Sequence, residues 1–308
     1  MAQVRLARRQ LHDARKQKRC GQYDDQCIQV TPDTLASAVH VILGRMPVDF
    51  ERALRTLPLD NEAARPYLEK HLPRLVKTLE LVPQSEGGRA LELGCYMQIT
   101  PFLQRICGYR EVRGAYYGKP GTQDRKTMSF PDGDFTCLVD HFDAERDPFP
   151  YPEGYFDLVL ATEIVEHMAY DPMHLFVESG RVLCEGGRLL VSTPNAASFA
   201  SIAKALDGRT NPQIFPQYKR PDPMFPEIGH VHEYTAHELR LTLEAAGFEI
   251  ERLFTTTIEE YALHAEMLKP LLEALGYEAE DRGEQTWCLA AKRGELRINR
   301  YPEFLYSE

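Results

Sequence analysis

The sequence predicts an α/β protein: a doubly wound, mainly parallel sheet of seven strands carrying an N-terminal helical extension. Three observations carry that reading. Residues 156–195 read as strand, acidic turn, helix, Gly-Gly turn and strand, the order of a right-handed parallel β-α-β unit. Short apolar runs recur at 90–93, 112–117, 135–139, 157–161, 189–191, 248–254 and 286–291, with helical patterns or turn residues between them. Ahead of the first run, residues 31–82 show helical spacing and no strand alternation.

In chain order, residues 1–30 form a basic segment, with Arg5, Arg8, Arg9, Arg15, Lys16, Lys18 and Arg19 opposed only by Asp13 in its first twenty residues. It reads as a solvated or self-associating helix, with a polyanion-binding arm or a transit peptide as alternatives. Residues 31–87 form a helical leader. Thr31-Pro32-Asp33 is a start signal, Leu35, Val39, Ile42 and Leu43 make one apolar face, and Leu68, Leu72, Leu75 and Leu79 make another. The leader is expected to pack over the catalytic domain and to build either the substrate pocket or a dimer contact. A linker, Val82-Pro83-Gln84-Ser85-Glu86-Gly87-Gly88, precedes the sheet domain of residues 88–292. Within that domain a helix starts near Thr100. Met173, Leu175, Phe176, Val182 and Leu183 mark a second helix, stopped by Glu185-Gly186-Gly187. Residues 235–246 form a third, ended by Gly247, and residues 293–308 are a tail.

At 308 residues and 43% hydrophobic content the chain can bury one large core with helical additions. No apolar run approaches the roughly 20 residues of a membrane span and no signal-peptide core follows the basic start, so a soluble cytoplasmic enzyme is expected. Seven scattered cysteines without paired short spacings point to reduced thiols rather than disulfides or a zinc ribbon. A net charge of -10 disfavours extended nucleic-acid binding.

Parallel sheets bind ligands at the carboxyl ends of their strands, which directs attention to residues 162–167 and 193–195. Glu163, Glu166 and His167 stand at i, i+3 and i, i+4 spacing and come together if a helix starts there. Two carboxylates and an imidazole could bind Mg2+ or Mn2+; alternatively His167 or His232 is a metal-free general base, or both histidines are structural. Residues 213–232, rich in proline, read as a substrate loop or lid, with Tyr218 and Arg220 as acceptor contacts.

With these elements placed, residues 88–292 resemble the class I S-adenosylmethionine-dependent methyltransferases, whose Rossmann-like sheet has seven strands, the last antiparallel. The family's acidic-x-Gly-x-Gly-x-Gly turn is matched by Glu92-Leu93-Gly94-Cys95-Tyr96-Met97-Gln98, in which only the first glycine is kept. Glu92, Gly94, Cys95 and Tyr96 thereby inherit the methionine end of S-adenosylmethionine, with Thr162 beside it. The second strand ends in Tyr116-Tyr117-Gly118 rather than in the family's ribose-binding acid, and Tyr117 is the candidate to stack on adenosine. Phe142-Asp143-Ala144-Glu145 matches the motif in which an acid and the next backbone amide hold adenine, so Asp143 and Ala144 inherit those roles. A turn carboxylate is the alternative for Asp143.

A tighter likeness is to bacterial methyltransferases associated with glycan and exopolysaccharide biosynthesis. It rests on Thr193-Pro194-Asn195, Gly208-Arg209-Thr210-Asn211-Pro212, His230-Val231-His232-Glu233-Tyr234-Thr235 and the closing Arg300-Tyr301-Pro302-Glu303-Phe304-Leu305-Tyr306. It implies a sugar or other hydroxylated acceptor, with Tyr234 as a further contact. The Glu-x-x-Glu-His pattern also resembles the metal site of small-RNA 3′-end 2′-O-methyltransferases and ubiquinone-pathway O-methyltransferases, which implies Glu163, Glu166, His167 and His230 as ligands. The expectation is an O-methyltransferase of a hydroxylated small molecule, metal-assisted or not. Its rivals are a metal-dependent RNA 2′-O-methyltransferase and a non-catalytic methyltransferase-like partner subunit. A homo-oligomer is compatible with each.

Overall fold

In a computed structural model, residues 48–59, 64–208, 229–257 and 262–305 are described. The basic segment, the leader up to residue 47, and Tyr218 and Arg220 lie outside them. The leader contributes α1 (Phe50–Arg55), whose N-terminal amide of Arg52 donates to Asp49 Oδ1 at 2.9 Å, and α2 (Ala64–Leu81). The sheet domain then runs β1 (Arg89–Leu93), α3 (Thr100–Arg105), β2 (Glu111–Tyr116), β3 (Gln123–Phe130), β4 (Gly133–His141) and β5 (Phe156–Thr162). After a short 3-10 turn, Val165–His167, come α4 (Met173–Val182), β6 (Leu183–Pro194), α5 (Phe199–Asp207), α6 (Ala236–Ala245), β7 (Phe248–Thr256), α7 (Ala262–Ala274) and β8 (Gln285–Lys292).

The strands form one sheet in the order β3-β4-β2-β1-β5-β6-β8-β7. β4, β2, β1, β5 and β6 pair in parallel, whereas β8 runs antiparallel to both β6 and β7. This is a Rossmann-like sheet with eight strands, one more than expected. The addition is β3, an edge strand antiparallel to β4. Its sequence, QDRKTMSF, is mostly exposed on both faces, so it has no apolar alternation to betray it, and its charges suit an unpaired sheet edge.

Period-two alternation divides the core into two layers. Ala90, Leu158, Leu160, Leu190 and Trp287 face α2 and α3, where they meet Leu68, Leu72, Leu79 and Phe102. Leu91, Leu93, Val159, Ala161, Leu189 and Val191 face α4 and α6, against Phe176, Val182, Leu239 and Leu243. α6 is set by a capping box in which Thr235 Oγ1 accepts from Glu238 N and Glu238 Oε2 accepts from Thr235 N. α4 stops at Val182, three residues before the Gly-Gly turn, and β6 starts at once. No described helix is long and apolar enough to cross a membrane.

Candidate functional site

The carboxyl ends of β1, β2, β4 and β5 open into two adjoining cavities. The larger, about 600 Å³, lies over β1, β2 and β4; the smaller, about 250 Å³, lies between β5 and the leader helix α2. Gly94, Tyr96, Glu163, Ile164 and His167 line both and form the boundary.

In the larger cavity the chain turns at Gly94 with φ of 68°, and a Cβ there would lie 2.6 Å from Ile164 Cδ1. Tyr96, where the family pattern has its second glycine, packs edge-on to Tyr116 at 5.4 Å and shares a 3.0 Å hydroxyl-hydroxyl hydrogen bond with it. Tyr117 projects beyond β2, 69% exposed, and lines the cavity with Phe142, Asp143 and Ala144. Asp143 Oδ1 accepts from Glu145 N at 2.9 Å, so this carboxylate holds its own turn as well as lining the cavity. The volume lies in the range of nucleotide and cofactor sites, and aromatic faces beside carboxylates suit an adenosine. Cys95 lines neither cavity. Its side chain is fully buried, with Sγ 3.2 Å from Thr100 Oγ1, because it turns beneath the sheet towards Gly114.

The smaller cavity is built around Glu163, which adopts a left-handed φ of 57° at the end of β5. Its carboxylate accepts from Arg74 Nη1 at 2.5 Å, Ser192 Oγ at 2.8 Å and Gln285 Nε2 at 2.7 Å. Burial opposes the charge on Arg74, but Glu163 and the Tyr67 hydroxyl outweigh it and raise its pKa. Burial and the charge of Arg74 push His71 down to about 4, leaving its ring neutral at pH 7. Glu92, at the cavity floor, accepts from Thr100 Oγ1, and burial holds its pKa well above the usual carboxylate range. Thr162 completes this end of the wall, so Glu92 and Thr162, expected at the methionine end of the cofactor, line the smaller cavity and not the larger one.

Glu166 is fully buried. Its Oε2 accepts from Thr193 Oγ1 at 3.0 Å, while Oε1 has no hydrogen-bond partner. Burial, then the charge of Glu163, raises its pKa far above the ordinary value. Its carbonyl accepts from Val231 N at 2.7 Å, which brings His230 alongside. The His167 and His230 rings meet edge-on at 5.1 Å, and one donor atom from each of Glu166, His167 and His230 lies within 4.8 Å of the others. These three form a donor set of the kind that takes a divalent cation, and one of the two carboxylate oxygens of Glu166 has no hydrogen-bond partner. Glu163, the fourth expected ligand, is instead engaged by Arg74. The two glutamates do not share a helix face, since a 3-10 turn begins only at Val165.

Besides Cys95, two expected site residues are placed elsewhere. His232 lies outside both cavities, edge-on to Tyr234 at 4.6 Å, with Nε2 buried 3.7 Å from Glu238 Oε1. Tyr234 is 2% exposed and lines neither cavity, because α6 and the Asn195 bridge bury it. Conversely, Tyr67, His71, Arg74 and Thr78 of α2 form a wall that motif reasoning missed. Their signal is a polar stripe at i, i+4, i+7 and i+11, set one residue before the apolar stripe Leu68, Leu72, Leu75 and Leu79.

A stretch of 102 residues is 35% identical to a Mycolicibacterium smegmatis protein named "Probable S-adenosylmethionine-dependent methyltransferase", covering 33% of this chain and 32% of that one. A stretch of 132 residues is 30% identical to the 27-O-demethylrifamycin SV methyltransferase of Amycolatopsis mediterranei, covering 42% of this chain and 47% of the relative. The chain thus spans less than half the length of each. Among solved structures, a SAM-dependent methyltransferase from Methanosarcina mazei is 17% identical with a TM-score of 0.44, covering 68% of this chain and 95% of that one. The family model described as "Methyltransferase domain" matches residues 62–253, from α2 through β7, and the chain therefore belongs to that family, the S-adenosylmethionine-dependent methyltransferases.

Proposed function

We propose that this protein is a cytoplasmic O-methyltransferase that methylates a hydroxyl of a small hydroxylated molecule, of the sugar or glycan-precursor class. The observation that carries the reading is the pair of cavities joined at Glu163 and His167, one of cofactor size and the other smaller, polar and walled by α2. The Amycolatopsis relative, named for methylation at oxygen, is consistent with it.

Gly94, Tyr117, Asp143 and Ala144 in the larger cavity, with Tyr96 at its border and Glu92 and Thr162 just across it, would hold S-adenosylmethionine, which supplies a methyl group on a sulfonium whose sulfur leaves as a neutral thioether. The protein's own tasks are to hold the acceptor oxygen in line and to take its proton. His167 lines both cavities, which supports it as the imidazole that would receive that proton. Glu163, locked by three donors, fixes a negative charge at the boundary, where an acceptor hydroxyl can donate to it. His232 has no such part, since it reaches neither cavity.

The vacant Oε1 of Glu166 favours a second use of the same residues. Glu166, His167 and His230 would hold magnesium or manganese, and the cation would orient the hydroxyl and lower its pKa. Turnover of labelled S-adenosylmethionine against a panel of hydroxylated acceptors, with and without chelator, tests both. Methyl transfer to oxygen that needs added Mg2+ or Mn2+ supports the cation; transfer that survives the chelator assigns the proton to His167 alone. A panel giving transfer only to nitrogen or carbon refutes the O-methyltransferase reading.

A further inference from the structure

We infer that the hydroxyls of Tyr96 and Tyr116 form an uncharged, paired-phenol seat for the ribose diol of the cofactor, an assignment that rests on S-adenosylmethionine lying in the larger cavity and names what grips its sugar. Both tyrosines line that cavity. β2 stands between β1 and β4 in the sheet, so Tyr116, at its end, lies between the turn at Gly94 and the turn at Asp143. In the cofactor the ribose likewise lies between the methionine and the adenine.

Backbone contacts set the pair. Cys95 N donates to the Ala115 carbonyl at 3.0 Å and Phe142 N to the Tyr116 carbonyl at 3.1 Å, so the turns after β1 and β4 are both fastened to the last residues of β2. Gly114 lets the first turn come close, since a Cβ there would lie 2.7 Å from Cys95 Sγ. Met97 fixes the shape of that turn with a left-handed φ of 66°. Tyr96, which borders both cavities, is thereby held edge-on to Tyr116 with its hydroxyl 3.0 Å from the other. Lys126 Nζ, 5.8 Å from the centre of the Tyr116 ring, adds a cation–π contact that steadies it.

The carboxylates that line the larger cavity among the described residues are turned to other donors. Glu163 accepts from Arg74, Ser192 and Gln285. Glu145 Oε1 accepts from Tyr170 N and, at 3.0 Å, from Asp171 N. Asp143 holds Glu145 N and stands past β4, at the adenine end. The phenols suit a diol without any charge. A hydroxyl both donates and accepts, and the bond between the two phenols uses one donor and one acceptor of the pair. One ribose hydroxyl can therefore donate to a phenol oxygen while its neighbour accepts from a phenol O–H, because the two oxygens of a vicinal diol stand about as far apart as those of the pair. Such neutral bonds are roughly half as strong as bonds to a carboxylate, so each ribose hydroxyl carries a modest share of affinity.

Calorimetric titration of the full chain with S-adenosylhomocysteine and with its 2′-deoxy and 3′-deoxy analogues tests this. Wild type should bind each deoxy analogue about twofold to tenfold more weakly than the parent. Tyr96→Phe and Tyr116→Phe keep both rings and remove one hydroxyl each. Each should weaken S-adenosylhomocysteine by about the same factor and bind at least one deoxy analogue within about twofold of the parent, a loss of discrimination that a merely structural role would not produce. The double variant should be weaker than either single variant by less than the product of their effects, because the two hydroxyls act as one unit. Equal affinity of wild type for parent and both analogues, or undiminished discrimination in both phenylalanine variants, would overturn the inference and place the diol elsewhere. Failure of wild type to bind S-adenosylhomocysteine at all would remove the cofactor placement beneath it, and the inference with it.

Discussion

Replacing Arg74 by methionine should loosen the junction between leader and sheet. The pair it forms with Glu163 is largely buried, with side chains 21% and 17% exposed, at 2.5 Å. Two unit charges about 4 Å apart at an effective dielectric of about 20 attract by about 4 kcal/mol, and stranding one partner of a buried pair costs about 3–5 kcal/mol. Glu163 would keep its bonds from Ser192 and Gln285, which offset part of that cost. The expected loss is therefore about 2–3 kcal/mol, or about 4–12 °C in Tm for a chain of this size. Urea unfolding can be followed through the single tryptophan, Trp287, which is 1% exposed in β8 and bonded to Thr256, so its emission should shift on unfolding. Removing both charges, in Arg74→Met/Glu163→Gln, should recover most of the loss, with a coupling of about 2 kcal/mol. A single variant within about 0.5 kcal/mol of wild type, or an additive cycle, would show that the pair does not fasten α2 to the strand ends.

Three further outcomes follow from the site. Glu92 has its pKa raised by burial, so native protein keeps a proton that the unfolded chain releases above about pH 4.3. Its contribution is complete below that pH and falls as pH rises towards the native pKa; Glu92→Gln should gain stability relative to wild type between pH 5 and 8 in urea titrations, and an unchanged pH slope would contradict this. Asp143→Ala should weaken S-adenosylhomocysteine by about 1–3 kcal/mol through loss of a charged hydrogen bond, read by calorimetry; unchanged affinity would leave Asp143 only its turn. Glu166→Ala should abolish Mn2+ binding measured by electron paramagnetic resonance, and retained stoichiometric binding would rule out the Glu166, His167 and His230 site.

The parallel core was legible because buried strands write themselves as apolar runs, and both β5 and β6 coincide with theirs. β3 was not, since an edge strand exposed on both faces carries no such run. At the site, Glu166, His167 and His230 lie together, a grouping that the resemblance and not the spacing put forward, while the partner of Glu163 is Arg74, 89 residues earlier, and no local pattern announces a contact of that range. His232 and Tyr234 were drawn in by a motif whose backbone passes the site while their side chains turn into packing with each other. The α2 wall was written in the sequence as a second stripe, but polar stripes on helices ordinarily face solvent, and only the docking of α2 over β5 turns this one inward.

The measurement that tests the account most directly is calorimetric titration of chelator-treated protein with S-adenosylhomocysteine, repeated with magnesium and manganese. Binding with Kd in the micromolar range, despite a turn that keeps only Gly94 of the three family glycines, is the predicted result. No binding under any of these conditions would contradict it and would make a non-catalytic partner subunit the better description of this chain.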